Sequence, residues 1–335
     1  MAKIVLGMAC SHGPMLATPP ELWSLRAGAD KKNKQHWYRG KTWDYESLLT
    51  ERAPGFAASL TPEVTTAYYE RCQQALKKLA DTFAAHQPDL VILLGNDQNE
   101  VFHECLVPGF TVYTGSTIQN IPLSPEQMAA LPPGIAIAEP SHCPEEGAEY
   151  EGAPECAASL VTSLVDQHFD VATSTRMPGG EAQAGIPHAF GFLYRQIMRD
   201  APPPSIPIFT NVGVGLNRPR LSRCLAFGHA LKRAIDLLPD ELTVAVIASG
   251  GMTHFCIDEE LDQEVLAALA AGDEQRLAKI PEAMLNGNTA ELKSWYPLMA
   301  MMNDVGFSME LFDYVPCYRT EAGTGNAMGF AVWQA

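Results

Sequence analysis

The chain has 335 residues, 47% of them hydrophobic, which allows one large α/β domain or two smaller ones around a sizeable core. A formal net charge of −16 excludes broad binding to a nucleic-acid backbone, but says little about a small anionic substrate that feels only the local field. No apolar run approaches the roughly 20 residues of a membrane span, and the opening MAKIVLG carries no leader pattern, so a cytoplasmic protein is expected.

In chain order, Lys3–Leu16 comes first. An Ile/Val/Leu-rich run reads as a buried strand, and Cys10-Ser11-His12-Gly13-Pro14 stops it. A histidine is thereby presented at a strand end, where α/β sheets form their sites. A single histidine is more often an ordinary core or surface residue, so the rest of the chain must decide. Residues 17–60 mix Pro19-Pro20 with cations and aromatics, including Arg26, Lys31, Arg39, Trp37 and Trp43. They read as a solvated excursion with one or two short helices, or as a lid over a site.

Thr61-Pro62 starts a helix that runs to about His86, with Thr as N-cap. Leu90–Leu94 is a second buried strand, closed by Gly95-Asn96-Asp97-Gln98. Residues 106–150 look irregular apart from a strand at Phe110–Tyr113. Helical spacing returns at Ala157–His168, and a short strand follows at Val171–Thr173. Gly185-Ile186-Pro187-His188 leads into a helix over Ala189–Met198, then a strand at Ile206–Val212 and a helix at Leu221–Leu238.

Leu242–Ala248 is a third core strand, ending in Ser249-Gly250-Gly251-Met252-Thr253-His254. Asp258–Ala271 is helical. Asn288-Thr289 reads as the cap of another helix with Glu291 in its first turn, where the helix dipole alone would favour a carboxylate. Tyr314–Tyr318 and Gly329–Trp333 read as closing strands around a turn at Gly323-Thr324-Gly325-Asn326. The alternation predicts a single α/β domain over 1–335, with a central mostly parallel or mixed sheet flanked by helices.

Eight scattered cysteines without a CxxC pair are expected to be free thiols, and no phosphate-binding glycine loop is present. Three strand ends and one helix start supply His12, Asp97/Gln98, His254 and Glu291. Two histidines and a carboxylate from separate elements suit a non-haem Fe(II) site with open positions, and the same types could build a zinc hydrolase.

The anchors Ser11-His12, LVILLGNDQ, EGAPECAASLVTSLVDQHFD, Pro187-His188, FTNVGVG, VAVIASGGMTH, AELKSW and GTGNAMG run nearly end to end. Together they resemble the catalytic subunit of the class III extradiol ring-cleaving dioxygenases, of the protocatechuate 4,5-dioxygenase type. The long basic segment after His12 is most similar to the branch that cleaves 3-O-methylgallate and dicarboxybiphenyl diols in lignin-derived aromatic breakdown.

The resemblance implies Fe(II) held by His12, Gln98 and Glu291, with His254 as acid/base and His188 near the substrate hydroxyls. It implies a substrate carboxylate at Thr324 and Gly325, with Asn96 also facing substrate. The family's second ligand histidine is here Gln98, a neutral amide, and Glu100 or His103 could substitute for it. The implied partners are a small aromatic substrate and O2, with neither nucleic acid nor membrane. A metal hydrolase, a non-catalytic metal-binding relative and a homo-oligomer remain open at this point.

Overall fold

The computed structural model describes residues 1–103, 105–178, 185–213 and 216–335. The first part of the chain runs β1 (Lys3–Cys10), α1 (Ser24–Lys32), β2 (His36–Tyr38), β3 (Lys41–Trp43), α2 (Tyr45–Glu51), α3 (Pro62–His86) and β4 (Leu90–Gly95). Then come β5 (Phe110–Tyr113), β6 (Thr117–Asn120), α4 (Pro125–Ala130), β7 (Ala148–Glu151), α5 (Pro154–Asp166), β8 (Ala172–Ser174), α6 (His188–Phe192) and β9 (Ser205–Thr210). The last part runs α7 (Leu221–Ile235), β10 (Thr243–Ser249), β11 (His254–Cys256), α8 (Glu259–Ala270), α9 (Glu274–Ala278), α10 (Trp295–Val305), β12 (Ser308–Tyr318) and β13 (Thr324–Gln334).

Among the described residues one sheet dominates, in the order β11-β13-β1-β10-β4-β9-β5-β8, with β12 paired to β13. Its centre, β1-β10-β4-β9, is parallel, while β13 and β5 flank it antiparallel. The sheet is therefore mixed. The central strands read as unbroken apolar runs because both faces are covered. On β10, Val244, Val246 and Ala248 join one core with α5, α7, α8 and α10, while Ala245 and Ile247 join the other with α3 and α6. On β4, Leu90, Ile92 and Leu94 alternate with Val91 and Leu93 in the same way.

The α3 helix starts as its sequence predicts. Thr61 Oγ1 accepts from the Val64 N–H, and Pro62 takes the first helical position, a cap worth about 1 kcal/mol. Three expectations need correction. First, Asn288 and Thr289 do not cap a helix. They lie within a 3-10 segment, Gly287–Ser294, and α10 begins only at Trp295. Their side chains are used elsewhere: Asn288 Nδ2 donates to Gln98 Oε1, and Thr289 Oγ1 both accepts from and donates to the His254 backbone.

Second, the hairpin turn lies before Thr324, not around it. The Arg319 N–H donates to Thr324 O, closing the turn, and Thr324, Gly325 and Asn326 already pair in β13 with β11. Third, residues 106–150 hold more order than their composition suggests, with β6 paired to β7 and a Ser124–Gln127 capping box on α4.

The helix expected over Ala189–Met198 widens to a π-turn at Leu193–Ile197, where the Met198 N–H reaches Leu193 O. Of FTNVGVG, Val214 and Gly215 lie outside the described residues. No helix among the described residues is long and apolar enough to cross a membrane.

Candidate active site

The carboxyl ends of β1, β4 and β10 meet the strand β13 around a cavity of about 550 Å³. His12 follows β1, Gln98 follows β4, and His254 follows the turn after β10. Asp97 fixes the loop after β4, because its carboxylate accepts the backbone N–H groups of Glu100, Val101 and Phe102 at 2.9–3.0 Å. Gln98 and Glu100 are thus both held at the cavity wall. Gly250 and Gly251 let the chain close up at the end of β10. A Cβ on Gly250 would lie 2.4 Å from Glu291 O, and one on Gly251 would lie 2.7 Å from His254 Cε1.

Glu291 is the hub. Its Oε2 accepts from the Gly251 N–H at 3.0 Å and lies 3.4 Å from His12 Nε2. Its Oε1 accepts from Gln98 Nε2 and lies 3.4 Å from His254 Nε2. Burial alone would raise the carboxyl pKa, but His254, His12 and the Gly251 N–H hold it down to about 2. Burial pushes His12 down to about 3, with Glu291 acting the other way.

The tautomer of His12 follows from its neighbours. Ser249 Oγ donates to Ala189 O at 2.5 Å, so toward His12 Nδ1, at 2.9 Å, it can only accept. Nδ1 therefore carries the proton, and Nε2 offers a lone pair toward Glu291. An outer hydrogen bond that sets the tautomer in this way is characteristic of a metal-binding histidine.

His12 and Glu291 thus fit a divalent cation, and Gln98 would contribute only a neutral amide oxygen. Among the described residues no three His, Cys, Asp or Glu side chains converge as a metal-binding group. Of the two alternatives to Gln98, Glu100 is engaged elsewhere. It accepts from the His188 N–H at 2.9 Å and meets His188 Nδ1 at 2.7 Å. His103 is exposed and outside the cavity wall.

His188 lies edge-on to His12, ring centroids 5.0 Å apart. Burial disfavours its charged form, but Glu100 outweighs that and raises its pKa to about 9. In His254, Nδ1 donates to Met252 O at 2.7 Å, leaving Nε2 as the ring's cavity-side nitrogen. Burial lowers the affinity of His254 for a proton, but Glu291 and Met252 O reverse this, and the net pKa is raised.

Three expected substrate contacts are not placed against the cavity. Thr324 is fully buried, and its Oγ1 donates to Asp30 Oδ2 at 2.5 Å. Gly325 lies within the sheet opposite Phe255. Asn96 is fully buried, and its amide atoms find no partner among the described residues. In their place the sheet presents Asn326. Arg319 Nη1 donates to its Oδ1 at 2.7 Å, so its amide N–H₂ is the group left over for a ligand.

Residues 17–60 supply no wall of the cavity. Two short helices and the β2–β3 hairpin form a strap in which Arg39 pairs with Asp258 and Arg52 donates to the carbonyls of Ala322, Gly323 and Ile257, while Arg26 Nε and Nη1 find no hydrogen-bond partner among the described residues. Sequence reasoning also missed Ser249 and His142. Ser249 sits in the SGGMTH run, where a hydroxyl at a strand end was the available signal. His142 lies in an irregular segment that gave none.

Over 173 residues the chain is 33% identical to a 2,3-dihydroxyphenylpropionate/2,3-dihydroxicinnamic acid 1,2-dioxygenase from Comamonas testosteroni, covering 51% of this chain and 45% of that protein. Over 88 residues it is 36% identical to a gallate dioxygenase from Pseudomonas putida, covering 23% of this chain and 26% of that protein. The matched stretches thus span less than half of either relative's length. The family described as the catalytic LigB subunit of aromatic ring-opening dioxygenase matches residues 50–324. That match covers most of the chain and includes the ends of β4 and β10, Glu291 and the start of β13, and the chain belongs to this family.

Proposed function

We propose that the protein opens the ring of a catechol-type aromatic carboxylate beside its diol, using Fe(II) and O2. The observation that carries this reading is the pairing of a neutral His12 Nε2 with an ionised Glu291, both side chains buried, at one corner of the cavity. Fe(II) bound by His12, Glu291 and the Gln98 carbonyl oxygen would supply the electron path between a chelated diol and O2.

The chain's own residues do the rest. His254 Nε2 exchanges the hydroxyl proton, since Nδ1 is committed to Met252 O. His188, kept cationic by Glu100, stabilises negative charge that develops on the ring oxygens. The Asn326 amide N–H₂ holds the ring carboxylate, with Arg319 fixing its orientation. Eight free cysteines favour a reducing, cytoplasmic home, which keeps iron ferrous.

Oxygen uptake after anaerobic loading with Fe(II) tests this against catechols with and without a carboxylate. Uptake with the carboxylated ring and a ring-opened product are expected. Hydrolytic turnover by the zinc-loaded protein without oxygen would replace the proposal.

One observation favours a second reading, a relative that binds aromatics without opening them. Gln98 donates to Glu291 from within the ligand corner. Binding of catechols with no retained metal and no oxygen uptake would establish it.

A further inference from the structure

The cavity extends well past the corner of His12 and Glu291. An apolar cavity of roughly 150 Å³ is enough to take up one benzene molecule. This one holds about 550 Å³, several times the need of a single ring. Part of its wall comes from the stretch between β6 and β7, where Leu123, Leu131, Pro132 and Ile135 face it.

The same stretch supplies His142, which also lines the cavity and is only 5% exposed. Neither ring nitrogen has a hydrogen-bond partner among the described residues. The nearest carboxylate oxygen, Glu139 Oε1, is 3.9 Å from Nδ1, too far for a hydrogen bond. The ring is placed without them. Asn120 Nδ2 donates to His142 O, and the imidazole lies against His188 and Phe192 at centroid distances of 5.4 and 6.0 Å. Buried polar groups are normally satisfied, so two idle nitrogens on a cavity wall mark a place where a ligand atom completes the set.

We propose that His142 is the specificity-determining residue of a distal subsite for the far end of a substituent on the diol ring. The substituent is apolar, about the size of a second ring, and carries a hydroxyl, ether or carbonyl oxygen that meets the imidazole. The groups facing His142 are Glu139, Glu100 and His188. Glu100 is already paired with His188, so Glu139 is the carboxylate that disfavours a further carboxylate as the distal group. Burial, the largest influence on His142, keeps its imidazole neutral, with one donor and one acceptor nitrogen.

This inference rests on the reading that places the diol at the corner of His12 and Glu291. Equilibrium titration of the Fe(II)-loaded protein under nitrogen separates the two. The ligands are catechol, a phenyl-substituted catechol and its hydroxyphenyl counterpart. The phenyl ring should tighten binding about tenfold over catechol, and the hydroxyl should add about fivefold more. His142→Leu should remove the hydroxyl's gain and keep that of the phenyl ring. Leu131→Trp, which adds bulk to the apolar wall, should remove the phenyl gain.

A phenyl ring that adds nothing overturns the subsite. A hydroxyl gain that survives His142→Leu overturns the role of His142. If catechol fails to bind while the larger ligands do, the distal subsite stands and the diol reading falls. If none of the three binds, both fall.

Discussion

The tautomer that would let His12 bind a metal through Nε2 is set by Ser249, whose own proton is committed to Ala189 O. Gln98 is the residue where the site departs from two histidines and a carboxylate. It currently spends its amide on Glu291 and Asn288. An amide oxygen is a weaker ligand than an imidazole, so Gln98→His should hold iron more tightly than the parent, and Gln98→Ala less tightly. Metal content after dialysis measures both, without reference to turnover. Retained iron in Gln98→Ala would remove residue 98 from the ligand set.

His254 is expected to behave differently. His254→Ala should lose a factor of about 10²–10⁴ in turnover while keeping its metal. Loss of metal would make it a ligand. The strand-end positions of His12, Gln98 and His254 were legible in the sequence because apolar runs stop there abruptly. Which atom each side chain points where was not, since Ser249, Ala189 and Thr289 act across long chain separations.

At the level of elements, the turn between β10 and β11 is pinned from behind by α8. Asp262 accepts from Thr253 N and Thr253 Oγ1 at 2.8 and 2.6 Å, and from the Tyr314 hydroxyl at 2.7 Å. Burial drives its carboxyl up to about 7, against the pull of those hydrogen bonds. The folded protein therefore holds this proton more tightly than the unfolded chain does. The stability it contributes is complete below the ordinary carboxylate range, near pH ~4, and is lost as pH rises to about 7. Asp262→Asn should gain on the parent over that interval, by up to ~4 kcal/mol, in denaturant unfolding at the two ends. An unchanged difference would mean that Asp262 titrates normally.

The β12–β13 hairpin carries a second expectation. Thr324 is buried and gives its hydroxyl to Asp30. Thr324→Val should cost about 1–3 kcal/mol of stability and leave the Michaelis constants of carboxylated and neutral catechols in unchanged ratio. The resemblance pointed to Thr324 and Gly325 by matched position, and Asn326 lies two residues beyond Thr324 on the same strand. Strand alternation sends residues so spaced to one face, and only the contacts separate the inner residue from the one at the cavity.

At the scale of the whole molecule, the sheet was legible and its covering only in part. Leu90–Leu94 and Leu242–Ala248 read as strands with both faces buried, and the two cores confirm why. At 17–60 the short helices were legible, but not the strap they form. Its order comes from partners far along the chain, above all the bidentate Asp30–Arg319 pair, and local periodicity carries no trace of such partners. The 3-10 segment at Gly287–Ser294 was misread for the same reason: side chains suited to capping a helix are engaged by Gln98 and His254.

Asp30 holds Arg319, and Arg319 orients Asn326. A surface strap and a side chain in the cavity wall therefore share one cooperative unit. Segments of this kind open by sub-global fluctuation at less free energy than complete unfolding requires. Heating should release the strap first, and with it the fixed direction of the Asn326 amide, while the parallel strands stay paired. Amide exchange should show α1 and the β2–β3 hairpin losing protection together, below the melting temperature of the sheet. Affinity for carboxylated rings should decline over that same interval, so selectivity would fade with warming before the fold does.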